Sequence, residues 1–125
     1  MTKIAVGSDK MHSPFGNYST AILKGNMMFL SGCGPFDVDK QLVGKDDIVA
    51  QTHQTMKNLR ALLEDNGFSM DDVVRSTVYL SDIELWGKFN ETYGQHFQEP
   101  YPARTVVACQ LNGFMVEIEC TAVKG

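Results

Sequence analysis

Two apolar stripes at helical spacing, separated by one run of strand-like alternation, constrain this chain more than any other feature. From Asp47 onward, Ile48, Thr52, Met56, Leu59 and Leu63 recur at helical spacing, and Ala50 and Leu62 widen the stripe. After Ser81-Asp82, a second stripe runs through Trp86, Phe89, Tyr93 and Phe97. Between the two, Val73 to Leu80 alternates, with Val74, Val78 and Leu80 against Arg75, Thr77 and Tyr79. Each helix has one face to bury, so both are expected to lie on a sheet, with the aromatic stripe as core.

Punctuation around these segments completes the pattern. Asp46 or Asp47 can cap the first helix, Asn66-Gly67 supplies its stop, Ser81-Asp82 caps the second, and Pro100 and Pro102 end it. Lys3 to Val6 reads as a short edge strand, followed by a loop from Gly7 to Gly16. Tyr18 to Lys24 and Met27 to Ser31 flank Gly25-Asn26 as a hairpin. Ala103 to Leu111 and Phe114 to Val123 flank Asn112-Gly113, the strongest short hairpin signal present. Hairpins at both ends with helix, strand, helix between them define an α+β protein rather than a doubly wound one. Helices on one face leave the other face of the sheet uncovered, and the apolar content of the last two strands points to another copy of the chain as its cover.

Bulk properties narrow the function. With 125 residues and 43% apolar content, the chain suits a single domain spanning 1–125. A net charge of −4 without like-charge runs disfavours nucleic acid and anionic membrane as partners. No stretch approaches the ~20 apolar residues of a membrane span, and no targeting signal is recognisable, so the cytoplasm is the expected location. Cys33, Cys109 and Cys120, like His12, His53 and His96, are scattered without metal-ligand spacing, and no metal site is expected.

The candidate site emerges from the last hairpin. If Asn112-Gly113 is a two-residue turn, Val106 opposes Glu119, Ala108 opposes Glu117 and Arg104 opposes Thr121. Arg104, Val106, Ala108, Glu117 and Glu119 then share one face. An exposed ion pair there would contribute only a few tenths of a kcal/mol. Val106 and Ala108 interrupt the charged row, however, and an arginine held partly dry beside a carboxylate is a fork for a small-molecule acid. Geometry alone leaves Glu117 and Glu119 equivalent.

In order and spacing, several short motifs then converge: Gly16-Asn17-Tyr18-Ser19, Ser31-Gly32, Gln51-Thr52 with Asn58-Leu59, and Val78-Tyr79-Leu80 followed by Asp82. Phe89-Asn90 with Tyr93 and Phe97, Pro102-Ala103-Arg104 and Val116-Glu117-Ile118-Glu119 complete the set. Together they make the chain resemble the Rid family, also called YjgF/YER057c/UK114, from Gly16 to Val123. The resemblance implies a chorismate-mutase-like (YjgF/L-PSP-like) α+β fold, a mixed sheet with two helices on one face, forming a homotrimer with inter-subunit pockets. It implies that Arg104 grips the substrate carboxylate, that Glu117 rather than Glu119 holds a water, and that Tyr18, Ser31, Gly32, Cys33, Asn90 and Val106 frame the pocket. It further implies a deaminase without cofactor, hydrolysing 2-aminoacrylate/2-iminopropanoate and 2-iminobutanoate to 2-keto acids and ammonia. The alternatives are a non-catalytic binder of small keto or amino acids and, more remotely, an endoribonuclease or translation inhibitor. The chain departs from many members in having Asn17 before the tyrosine and Cys33-Gly34 after Ser-Gly, both at the expected pocket wall. Cys33 among glycine N–H groups is either a reactive thiol or a small residue lining a tight loop.

Overall fold

The protein was analysed as a computed structural model that describes residues 2–125. In chain order its elements are β1 (Ile4–Val6), β2 (Ala21–Lys24), β3 (Met27–Cys33), α1 (Ile48–Glu64), β4 (Val73–Leu80), α2 (Trp86–Gly94), β5 (Ala103–Ala108) and β6 (Val116–Val123). The six strands form one mixed sheet in the order β1-β2-β3-β6-β4-β5. Every pairing is antiparallel except β4 with β5.

Both helices pack on one side of this sheet. The helix-facing residues of β6 (Val116, Ile118, Cys120 and Ala122) are buried and alternate with half-buried Glu117, Glu119, Thr121 and Val123. On β4, Ser76, Val78 and Leu80 face the helices, and Thr77 and Tyr79 face away. Met56, Leu59, Leu62 and Leu63 of α1 and Phe89 of α2 close the core from above. The Asp47 side chain accepts from the Ala50 amide at 3.1 Å and so caps α1. Past the end of α1, Gly67 takes a φ of +83°, which a side chain would resist.

The predicted C-terminal hairpin does not form. β5 lies parallel to β4, and β6 inserts between β4 and β3. The reason is the crossover: β4, α2 and β5 make a strand–helix–strand unit, whose second strand returns parallel to the first. The edge beside β5 is then left to solvent and β6 takes the centre. A two-residue turn reaches a neighbour ~4.8 Å away but not a strand twice as far, so residues 109–115 form a longer loop with Asn112-Gly113 inside it.

Smaller differences have local causes. The register shifts between Val73 and Arg75, so Val73 rather than Val74 enters the core. β2 begins at Ala21, not Tyr18, and β3 runs on to Cys33. Asp82 caps a single 3-10 turn that precedes α2, leaving Trp86 at the helix start and largely exposed, while buried Phe97 lies beyond the helix end. The helix stops at Gly94, well before the prolines. No helix among the described residues is long and apolar enough to cross a membrane.

Two stability measurements follow from this packing. Phe89 is fully buried between α2 and the sheet, and Phe89→Ala is expected to cost about 3–5 kcal/mol in urea unfolding. His53 Nδ1 and His96 Nε2 are 2.8 Å apart, and burial, then the His53 and Arg60 charges, push the His96 imidazole below its usual 6.5. A depressed folded-state pKa means that the unfolded chain binds the proton more readily. The contribution is therefore fully present above about pH 6.5 and is lost as pH falls through the folded-state value. Melting temperatures between pH 7.5 and 5 should show this decline, and His96→Gln should flatten it.

Candidate functional site

Arg104 stands opposite Ser76 on β4, which in turn stands opposite Cys120 on β6. Ser76 and Cys120 are buried on the helix side, so strand alternation sends the Arg104 side chain toward α2. Its guanidinium carbon lies 4.8 Å from the centroid of the Tyr93 ring and 5.7 Å from those of Trp86 and Phe89. Tyr93 is fixed by a 2.7 Å hydrogen bond between its hydroxyl and Ser76 Oγ. Burial pushes its phenol up, which keeps the ring neutral beneath the cation. Arg104 is half-buried and takes part in no ion pair among the described residues. Its cleft of about 620 Å³, lined also by Asn90, Gln95, Tyr101 and Pro102, falls in the range of small-molecule sites.

A second constellation occupies the uncovered face. Glu117 projects from β6 there, beside Gly32 of β3, whose backbone comes so close that an added Cβ would sit 2.7 Å from Glu117 Oε2. β3 is irregular between Leu30 and Cys33, which brings Gly32 against the glutamate. Ser31 donates through Oγ to the Ser19 carbonyl at 2.6 Å and through its amide to the Thr20 carbonyl at 3.0 Å, tying β3 to the loop that carries Tyr18. Tyr18 is exposed, and its hydroxyl accepts from the Phe15 amide at 3.0 Å. Burial first, and the neighbouring Glu119 second, push the Glu117 carboxyl above its usual range.

Buried amides on α1 brace this second group from behind. Gln51 Oε1 accepts from the Met115 amide at 2.8 Å while its Nε2 donates to the Gly44 carbonyl at 2.9 Å. Asn58 Nδ2 donates to the Phe36 carbonyl at 2.8 Å and to the Gly34 carbonyl at 3.2 Å. The segments leaving Gly32 and entering Glu117 are thereby held to one helix. Gln51 and Asn58 stood out in the sequence as motif residues, but nothing local revealed their partners.

Several expectations about the site need correction. Arg104 and Glu117 do not share a face: β4 separates their strands, and they project from opposite sides of the sheet. Ser31 and Gly32 lie three strand spacings from β5, roughly 14 Å in the plane. Val106 and Ala108 pair with Val78 and Leu80, facing Val116 and Ile118 rather than the glutamates. Val106 packs against the core beside Arg104 instead of lining its cleft. Cys33 also turns inward, opposite Ile118, and burial with a smaller contribution from Glu117 pushes its thiol up to about 12. It is a core residue and not a reactive one. Asn90 does join Arg104 in the cleft. Trp86, Phe89 and Tyr93 were read only as core, yet they wall the guanidinium, and Trp86 at 42% exposure carried no sequence signal of that.

The mixed sheet with two helices on one face, and a guanidinium over aromatic rings that forms no ion pair among the described residues, define an α+β protein with a candidate anion site. Residues 9–124 match the family model described as "Endoribonuclease L-PSP". A RutC family protein of Pyrococcus abyssi is 38% identical, covering 99% of both chains. Reactive Intermediate Deaminase A, chloroplastic, of Arabidopsis thaliana is 34% identical over 96% of this chain and 65% of that protein. Among solved structures, E. coli TdcF with bound serine superposes with a TM-score of 0.90 at 26% identity, covering 98% of this chain and 99% of that one. The chain belongs to the Rid (YjgF/YER057c/UK114, L-PSP) family, some of whose members are named reactive intermediate deaminases.

The contact between Gly32 and Glu117 can be tested directly. The Cβ of Gly32→Ala would meet the mobile end of Glu117 rather than backbone. The variant is expected to fold with a stability within about 1 kcal/mol of the parent, since exposed substitutions seldom cost more, and to displace the Glu117 carboxylate in a crystal structure.

Proposed function

We propose that this protein hydrolyses small enamine and imine acids, such as 2-aminoacrylate/2-iminopropanoate and 2-iminobutanoate, at sites shared between copies of the chain. The observation that carries this reading is Arg104, a half-buried cation over aromatic rings with no carboxylate of its own among the described residues. Such a group calls for an anion, and its planar fork suits a carboxylate held bidentately. The serine bound to TdcF is a small carboxylate of that kind.

One chain cannot bring the two halves together, because they project from opposite faces of its sheet. A second copy whose uncovered face, with Tyr18, Ser31, Gly32 and Glu117, meets the Arg104 cleft of the first would complete the site. Exposed Phe29 and Val107 on that face favour burial against another copy. A homotrimer closes such head-to-tail contacts with three equivalent sites.

In the completed site Arg104 fixes the carboxylate and places the imine carbon near a water held by Glu117. The water oxygen bonds to that carbon as one of the water's protons passes, by way of Glu117, to the nitrogen. The remaining hydroxyl proton then follows to the nitrogen, the C–N bond breaks, ammonia leaves, and the oxygen becomes the carbonyl of a 2-keto acid. The endoribonuclease in the family description finds less support here, since the uncovered face presents two glutamates and the chain is acidic overall.

Mixing subunits tests both the chemistry and the shared site. Coupled to a threonine dehydratase, the parent should accelerate ammonia release, while Arg104→Ala and Glu117→Ala should each lose about 10²-fold or more, the scale of a lost positioning or acid–base group. Unfolding and reassembling the two variants together should restore about a quarter of the sites, those that take Arg104 from one variant and Glu117 from the other. Absence of acceleration by the parent would overturn the catalytic reading. Absence of recovery on mixing would place both residues in one chain's site, against the geometry above.

A further inference from the structure

Two carboxylates stand on the uncovered face of β6, and among the described residues a side-chain donor reaches only one of them. Glu117 and Glu119 are two residues apart on one strand and so point the same way, roughly 7 Å apart along it. Tyr79 is the cross-strand neighbour of Glu117, yet its hydroxyl reaches diagonally to Glu119 Oε1 at 2.5 Å. No side chain among the described residues donates to Glu117.

We propose that Tyr79 is a positioning residue that sets the two carboxyls apart: its hydroxyl engages Glu119 and leaves Glu117 as the carboxyl free to carry a proton to the substrate. A phenol donating to a carboxylate favours the ionised acid. The fixed negative charge of Glu119 then opposes ionisation of Glu117, as in carboxyl pairs whose environments separate their roles. Burial first and the Glu119 charge second push the Glu117 carboxyl up, and the bond to Glu119 is the main cause of a raised Tyr79 phenol.

Within one chain, no charged group among the described residues offsets this asymmetry; in the completed site the Arg104 of the second copy also faces Glu117, and the substrate carboxylate meets its charge. On β4, Arg75 shares the face, but its Nη2 donates to Thr105 Oγ1 on β5 at 2.7 Å, and Thr77 is neutral. β5 contributes Thr105 and Val107, with exposed Cys109 beyond its end. β3 contributes Ser31 and Gly32, and the Cys33 thiol lies on the core side. Neither glutamate forms an ion pair among the described residues.

The consequence for chemistry rests on the imine-hydrolase reading. In its protonated form Glu117 gives its proton to the imine nitrogen as water adds to the carbon, and the resulting carboxylate takes a proton from the added water, leaving a carbinolamine. Glu117 then gives that proton to the amine nitrogen, the C–N bond breaks as the hydroxyl proton returns to Glu117, and ammonia and the keto acid leave with the acid regenerated. Glu117 acts on the substrate; Tyr79 and Glu119 act only through it.

The test is to follow the glutamate side-chain carboxyls by ¹³C NMR in the assembled protein, comparing the parent with Tyr79→Phe and Glu119→Gln. Glu117 should titrate above the ordinary glutamate range in the parent, and its midpoint should fall in both variants, by roughly half a pH unit or more in Glu119→Gln. The alkaline limb of kcat/KM for imine hydrolysis should fall with it, a change that a purely structural role of Tyr79 would not produce. A Glu117 midpoint within or below the ordinary glutamate range, or one unmoved by either variant, overturns the proposal. A moved midpoint with an unmoved alkaline limb overturns its catalytic half. A parent without imine hydrolysis defeats the deaminase reading instead, and the carboxyl titrations then decide the proton assignment by themselves.

Discussion

The parallel pairing of β4 with β5 governs the chemistry of this molecule. Because α2 carries the chain across the sheet and returns it parallel to β4, β5 becomes an edge strand and β6 is drawn into the centre between β3 and β4. That placement sets the parity of each strand against its neighbours. Arg104 aligns with Ser76 and Cys120 and turns toward the helices, while Glu117 aligns with Tyr79 and turns away. With the hairpin that the local sequence favours, cation and carboxylates would share a face and could satisfy each other. Separated by the sheet, each is left available to something outside its own half of the chain.

Electrostatics on the two sides differ accordingly. On the helix side the Arg104 charge is accommodated by the faces of three aromatic rings, an environment that tolerates a cation without neutralising it. On the other side two half-buried carboxyls stand near each other, and a single phenol distinguishes one glutamate from the other. Both arrangements leave a polar group incompletely satisfied, and such groups mark functional sites more often than stability devices. The bracing of Gly34, Phe36, Gly44 and Met115 by Gln51 and Asn58 belongs to the same design, since a contact as tight as that of Gly32 with Glu117 depends on fixed backbone.

Much of the fold was legible in the residue pattern. The α1 stripe, its Asp47 cap, the Gly25-Asn26 hairpin and the bounds of β4 all follow from local periodicity and turn chemistry, and the structure repeats them. The C-terminal hairpin that Asn112-Gly113 signals in isolation does not form. The competing rule, that a strand following strand and helix returns parallel, acts over thirty or so residues and outweighs a dipeptide. Trp86, Phe89 and Tyr93 show a similar limit. Their spacing announces a buried helical face, but whether a ring meets aliphatic core or a guanidinium depends on which strand the crossover lays beside it.

The sequence by itself determined the α+β class and the family, because periodicity, capping and short motifs are properties of neighbouring positions. Only the tertiary structure decided which candidate residues face one another, that Cys33 is core, and that Arg104 and Glu117 lie on opposite sides of one sheet. Strand order is a long-range choice, and each choice reverses or preserves the side to which every second residue points.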